Sequence, residues 1–302
     1  MKDRPWHAAE VGDTIVTLPR LAVDSPWGRL YKHPLTLEET VADQRAALNA
    51  GLLMPSVTNV IGVLDKPYLH GWYAKLAADA AVDVTFTHPG LIQKRPRDAK
   101  DWIKKAAPRY TDAAADLGTA VHDAVERLAR EETFDIPDRL AGYVESWRQF
   151  VADFEPTFLH LEATCFGEVP AEETGAGPLK YAGTADFICR INGVTLMGDY
   201  KAGRAVHTEA ALQASGLAHA SEITLDDDSM APMPAIGGGL VVHLTPERYF
   251  AYPAQIGGMS WDTFQRLRRV WQFHVDNLAS RSPLFLGKAL TGAAQVQEET
   301  SV

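Results

Sequence analysis

Residues 181–201 read YAGTADFICRINGVTLMGDYK. Asn192-Gly193 lies between two β-rich runs, and this dipeptide tolerates the positive φ angles that a two-residue type I′ turn requires. The stretch therefore predicts a β-hairpin whose turn fixes its register. Pairing Ile191 with Val194 and counting outward sets Asp186 opposite Asp199, with Cβ atoms about 5 Å apart. Two carboxylates so close repel. The pair is tolerated if one is protonated or if a cation sits between them, and a hard divalent metal with oxygen ligands fits best. Lys201 lies two residues beyond Asp199, so strand periodicity puts it on the same face. The opposite face carries Ala185, Phe187, Cys189, Ile191, Val194, Leu196 and Tyr200, an apolar set expected to pack on the core. The competing reading of Asp186, Asp199 and Lys201 is an exposed ladder of salt bridges.

Further residues join this set. Gly183-Thr184-Ala185-Asp186 is followed by Gly198-Asp199-Tyr200-Lys201, then by Gln213 on a helix expected from Glu209 to Ala220, with Gly118-Thr119-Ala120-Val121-His122 upstream. In this order and at these spacings they resemble the RecB-type branch of the PD-(D/E)XK nuclease superfamily, close to phage exonucleases related to CRISPR adaptation nucleases. The resemblance spans about residues 115 to 255. It implies an α/β restriction-endonuclease-like core, a mixed β-sheet flanked by helices, with an N-terminal helical extension.

By position, the resemblance makes Asp186 and Asp199 metal-binding acids, Lys201 the catalytic lysine, His122 the histidine of the first core helix and Gln213 the glutamine of the following motif. The backbone carbonyl of Tyr200 would join Asp186, Asp199 and His122 around Mg²⁺ or Mn²⁺. One position departs from the pattern: four residues after Gln213, where an aromatic Tyr is common, stands Leu217. The implied activity is metal-dependent hydrolysis of DNA phosphodiester bonds, as an exonuclease working on linear single- or double-stranded ends in phage or bacterial recombination or repair. A recombinase or single-strand annealing protein is the partner this role implies. An endonuclease with the same metal site, or a DNA-binding or assembly protein that keeps the fold without turnover, are the alternatives.

The chain has 302 residues, a net charge of −10 and two cysteines, Cys165 and Cys189. Such a charge argues against a protein that coats nucleic acid nonspecifically. Two cysteines supply no disulfide framework and too few ligands for the four-cysteine iron–sulfur cluster that some members of the resembled group carry, so none is expected. The absence of a long apolar run or signal-peptide pattern gives the expectation of a cytoplasmic protein with no membrane partner. Charge is uneven, however. Lys94, Arg95, Arg97, Lys100, Lys104, Lys105 and Arg109 face only Asp98 and Asp101 over that span. A stripe of that kind can follow a phosphate backbone, or it can be a solvated helix face.

Three regions are expected: 1–110, accessory, mostly helical and packed on the core; 111–285, the nuclease core; and 286–302, a flexible tail. Within the first, Thr14–Thr17 and Arg29–Tyr31 suggest a small hairpin. Thr36-Leu37-Glu38-Glu39 fits a capping box, and Ser56 opens another helix. A helix after Pro67 carries Leu69, Trp72, Tyr73, Leu76 and Ala80 at helical spacing, which points to core packing. A helix from about Thr111 to Arg130 carries His122 and Glu126 four residues apart, and Phe158–Val169 is the expected first core strand, with Glu168 as an additional candidate acid.

Overall fold

The computed structural model describes residues 9–11, 14–16, 21–25, 28–36, 44–174, 177–227 and 229–278. The expected tail and most of the capping box lie outside these residues. Near the N-terminus, β1 (Ala9–Val11) pairs with β2 (Thr14–Val16), while β3 (Ala22–Ser25), β4 (Gly28–Lys32) and β5 (Leu53–Pro55) form a separate three-stranded sheet. Residues 14–16 and 29–31 thus belong to different sheets rather than to one hairpin. Between β4 and β5 lies α1 (Gln44–Asn49).

A run of helices follows: α2 (Val57–Ile61), α3 (Tyr68–Thr87), α4 (Pro89–Lys94), α5 (Pro96–Lys104), α6 (Ala106–Ala129) and α7 (Asp138–Phe154). Ser56 caps α2, its hydroxyl accepting a hydrogen bond from the Asn59 N–H at 3.0 Å. The α3 helix meets its expectation in part. Ala80 is buried and Leu69, Trp72 and Leu76 are half-buried, with α4, α5 and α6 packed against the helix, while Tyr68 and Tyr73 are exposed. Helical spacing of apolar residues brings one face into contact with its neighbours, but these helices cover it incompletely.

The main sheet begins with β6 (Thr157–Val169), followed by α8 (Ala171–Thr174) and the hairpin β7 (Leu179–Ile191) and β8 (Val194–Lys201). Then come α9 (Glu209–Ala218), β9 (Glu222–Thr224), β10 (Met230–Pro232), β11 (Gly238–Leu244), β12 (Tyr249–Ala254) and α10 (Met259–Leu278). Strand order is β10-β9-β6-β7-β8-β11-β12. The β8 and β11 strands are parallel and their neighbours antiparallel, so the sheet is mixed and helices flank it.

Asn192 (φ 49°) and Gly193 (φ 80°) make the turn between β7 and β8, and Ile191 pairs with Val194 as the turn dictates. Helices α6 and α7 cover one side of the sheet, where Val121, Val125, Val144, Trp147 and Phe150 pack on Phe187, Cys189 and Tyr200. The other side is also buried. Ile188 and Met197 join a core with Val57, Val60, Leu217, Phe264 and Trp271. The side of the hairpin that bears Asp186 and Asp199 is therefore apolar over most of its length, and polarity is confined to one end.

That end is where strand alternation breaks. Ala185 packs with the cluster beneath α2, α9 and α10, yet Phe187, two residues on, packs beneath α6 and α7. Opposite Asp186 in the register of β6 stands Glu162, whose φ of 51° is uncommon for a residue with a side chain. The local twist leaves Asp186 and Glu162 outside both apolar layers.

Candidate metal centre

Side chains from three elements converge at this break. His122 from α6, Glu162 from β6 and Asp186 from β7 each offer a ligand atom, all within 4.8 Å of one another. His122 Nδ1 lies 3.5 Å from Asp186 Oδ2. The other ring nitrogen, Nε2, is 2.9 Å from the carbonyl oxygen of Tyr200. A carbonyl only accepts, so Nε2 carries the proton and donates, and Nδ1 is left with its lone pair facing the carboxylates. A histidine held this way, through its second nitrogen on a backbone carbonyl, is oriented as metal-ligating histidines are. The Tyr200 carbonyl, expected as a metal ligand, accepts from the histidine.

Tyr200 itself is held firmly. Its ring stacks on Phe187 (4.6 Å between centroids) and meets Trp147 edge-on (5.0 Å). Aromatic pairs of this kind contribute about 0.5–1.5 kcal/mol each beyond their burial. Gly198 is needed for this packing: a Cβ there would lie 2.0 Å from the Phe187 ring.

Asp199 stands beside the triad and outside the group of 4.8 Å. It is 2% exposed. Its Oδ1 accepts a hydrogen bond from Lys201 Nζ at 2.6 Å, while its Oδ2 is buried with no hydrogen-bond partner. Lys201 Nζ also reaches Gln213 Oε1 at 3.4 Å. The sequence-derived residues His122, Asp186, Asp199, Lys201 and Gln213 are thus brought together. Glu126 borders the same cavity but pairs with Arg130 at 3.0 Å.

Electrostatics matches the geometry. Burial, then the charges of Asp186 and Glu126, push the Glu162 carboxyl well above the usual range. Burial also raises Asp186, with Lys201 and the Tyr200 N–H pulling it back. Asp199 is raised by burial and by Asp186, against the opposing pull of Lys201. Burial and the Lys201 charge lower His122, which keeps its imidazole neutral at neutral pH. Several buried carboxylates that resist ionising together, beside a neutral imidazole and an orphaned carboxylate oxygen, form a donor set suited to a divalent cation of the Mg²⁺ or Mn²⁺ class. His122, Glu162 and Asp186 would hold it, with Asp199 adjoining.

His122, Glu162, Asp186 and Gln213 line a cavity of about 460 Å³, together with Arg29, Tyr31, Thr58, Gly118 and Leu217, while Asp199 and Lys201 lie behind its wall. Leu217 gives it an apolar wall where the resembled pattern has a phenol. The seven basic residues from Lys94 to Arg109 are all exposed on α4, α5 and the start of α6 and do not line this cavity.

Glu162 escaped the sequence reading, which singled out Glu168 on the same strand. Its one sequence signal is a charged residue inside FLHLEATCF, a stretch that turns apolar directly after it. No known family model matches the chain, and no curated protein matches it. Among solved structures, one described as "Crystal structure of SSO0001" overlaps 46% of this chain and 59% of its own length, at 18% identity and a TM-score of 0.29.

Proposed function

We propose that this protein is a metal-dependent DNA nuclease with a PD-(D/E)XK-type core, hydrolysing phosphodiester bonds from DNA ends. The observation that carries the reading is the meeting of His122, Glu162 and Asp186 within 4.8 Å, beside the partnerless buried Oδ2 of Asp199. A protein with no use for a cation has no physical reason to gather such groups, because each buried carboxylate raises the cost of ionising the next. The order of His122, Asp186, Asp199, Lys201 and Gln213 along the chain supports the same reading.

Hydrolysis adds a water oxygen to phosphorus and breaks one P–O ester bond, the departing sugar oxygen taking up a proton. A divalent cation, when bound, supplies a Lewis acid for the phosphate and lowers the pKa of a water molecule. The chain provides the rest. His122, fixed by the Tyr200 carbonyl, presents Nδ1 without a proton. Lys201, held between Asp199 and the cavity-lining Gln213, would stabilise negative charge building on the phosphate or orient the attacking water. Gln213 restricts the lysine to that position. Leu217 offers an apolar surface to the sugar or base.

Action at ends, and a place in phage or bacterial recombination or repair beside a recombinase or annealing protein, rest on the resemblance. Incubation with end-labelled linear DNA and closed circular DNA, in Mn²⁺, Mg²⁺ or EDTA, tests the assignment. Metal-dependent loss of linear DNA alone is expected. Cutting of the closed circle would replace the exonuclease reading with an endonuclease.

A further inference from the structure

Along α6 from the metal cavity, α3, α5 and α6 enclose a second groove of about 580 Å³. Tyr73 and Ala77 of α3, Ile103 and Lys104 of α5, and Pro108 and Thr111 of α6 line it. Tyr73 is 42% exposed, and Trp102, on the adjoining turn of α5, is 38% exposed with the Arg109 guanidinium 4.3 Å from its ring centre.

The groove and the metal cavity share one face of α6. Ala107, Pro108 and Thr111 line the groove, and Gly118, Thr119 and His122 line the cavity. Each member of the second set lies eleven residues after one of the first. Eleven residues make about three helical turns and about 16 Å, so both sets point the same way. The α3 and α6 helices are tied to the segment after Lys201: Arg204 lies over Tyr110 (5.4 Å), Tyr110 packs on Trp72 (5.3 Å), and His207 stacks on Tyr68 (5.9 Å).

We propose that this groove binds an unpaired nucleic-acid strand, continuing along α6 the path that begins at the metal cavity; the inference rests on the nuclease reading and names its substrate as single-stranded. Charge decides the occupant. Arg97, Lys100 and Lys104 fall three and four residues apart, on one face of α5 with Lys104 in the groove, and Lys105 and Arg109 follow. Asp112 also lines the groove, but basic residues dominate the surrounding span in a chain whose net charge is −10. Cations track the phosphates, and exposed rings stack on bases. A duplex buries its base faces in its own stack except at its two ends, so along its length Tyr73 gains from an unpaired strand and not from a paired one.

The test is fluorescence anisotropy in EDTA, where no cleavage occurs, with labelled oligo(dT) and a blunt duplex of equal charge. Wild-type protein should favour oligo(dT). Tyr73→Ala should weaken oligo(dT) binding about tenfold, as loss of one stacked base does, while Tyr73→Phe, which keeps the ring, retains it. Lys104→Gln should weaken binding and reduce the salt dependence. Unchanged oligo(dT) affinity in Tyr73→Ala would overturn the proposal. So would preference for the blunt duplex, or a wild-type dimer in sedimentation that Tyr73→Ala dissociates with DNA binding intact, which would make the groove a contact between copies. Binding through Tyr73 without cleavage in any metal would sink the nuclease reading and leave the groove. Cleavage with no effect of Tyr73 would do the reverse.

Discussion

Asp186 Oδ2 accepts the backbone N–H of Tyr200 at 2.7 Å. The antiparallel pairs of β7 and β8 run from Ile191↔Val194 to Phe187↔Gly198. One step beyond, a side chain meets the partner strand where main chain would otherwise do so. This single bond ties the first acid of the site to the residue whose carbonyl orients His122 and whose neighbours are Asp199 and Lys201. Strand register, histidine tautomer and carboxylate position are therefore set together, and each can be probed by substitution.

Glu162→Gln removes one carboxylate from the triad and one source of repulsion from Asp186. Mn²⁺ affinity, measured by calorimetry, should fall at least about tenfold. Stability of the metal-free protein in urea should stay level or rise, since a buried neutral amide replaces an acid that resists ionising. A glutamate with a purely structural role would lose stability and leave metal binding alone.

Burial lifts Asp186 and Asp199 to about 6, above the ordinary range near 4. Between those values the folded protein holds protons that the unfolded chain has released. Stability of the metal-free protein attributable to these groups therefore falls as pH rises from about 4 to about 6. A bound cation favours the ionised carboxylates, so the metal-induced rise in melting temperature should be larger at about pH 7.5 than at about pH 5. Scanning calorimetry at both values, with Mn²⁺ or EDTA, measures this.

Lys201→Met takes away the one hydrogen-bond partner that the Asp199 carboxylate has among the described residues. Cleavage should drop by about 10²-fold or more, with Mn²⁺ binding retained. Leaving both oxygens of a buried carboxylate without a partner should also cost about 1–3 kcal/mol in unfolding experiments near neutral pH. Lost metal binding with normal stability would assign Lys201 a different role.

Gly198→Ala would place a methyl group 2.0 Å from the Phe187 ring. Overpacking of this kind costs about 1–3 kcal/mol, and because Phe187 stacks on Tyr200 the displacement should reach the site. Reduced unfolding stability together with reduced cleavage is expected.

The hairpin was legible because Asn192-Gly193 is a local instruction that needs no tertiary contact. From it followed the register as far as Phe187↔Gly198, one step short of the expected pair of Asp186 and Asp199. Glu162 was not legible, because its role depends on a positive φ in the middle of a strand and on the breakdown of alternation opposite it. Burial on both sides of the sheet was missed for a related reason: Asp186, Asp199 and Lys201 suggested a polar face, while Ile188 and Met197 share that side. The apolar spacing of α3 predicted packing, which Leu69, Trp72, Leu76 and Ala80 make against α4, α5 and α6, but spacing cannot report that Tyr73 stays exposed. The carbonyl of Tyr200 was expected near the metal, and only coordinates show it accepting from His122.

Helix length and hydropathy add one further fact: among the described residues no helix is long and apolar enough to cross a membrane. The central claim is that the cluster of His122, Glu162, Asp186 and Asp199 cleaves DNA with a divalent cation. The most direct measurement is release of labelled nucleotides from linear DNA by wild type, Asp186→Asn and Asp199→Ala, each in Mn²⁺, Mg²⁺ and EDTA. The account predicts release by wild type in metal, none in EDTA, and a loss of at least about 10²-fold in both variants. Equal release by wild type and both variants, or none from wild type in any metal, would contradict it.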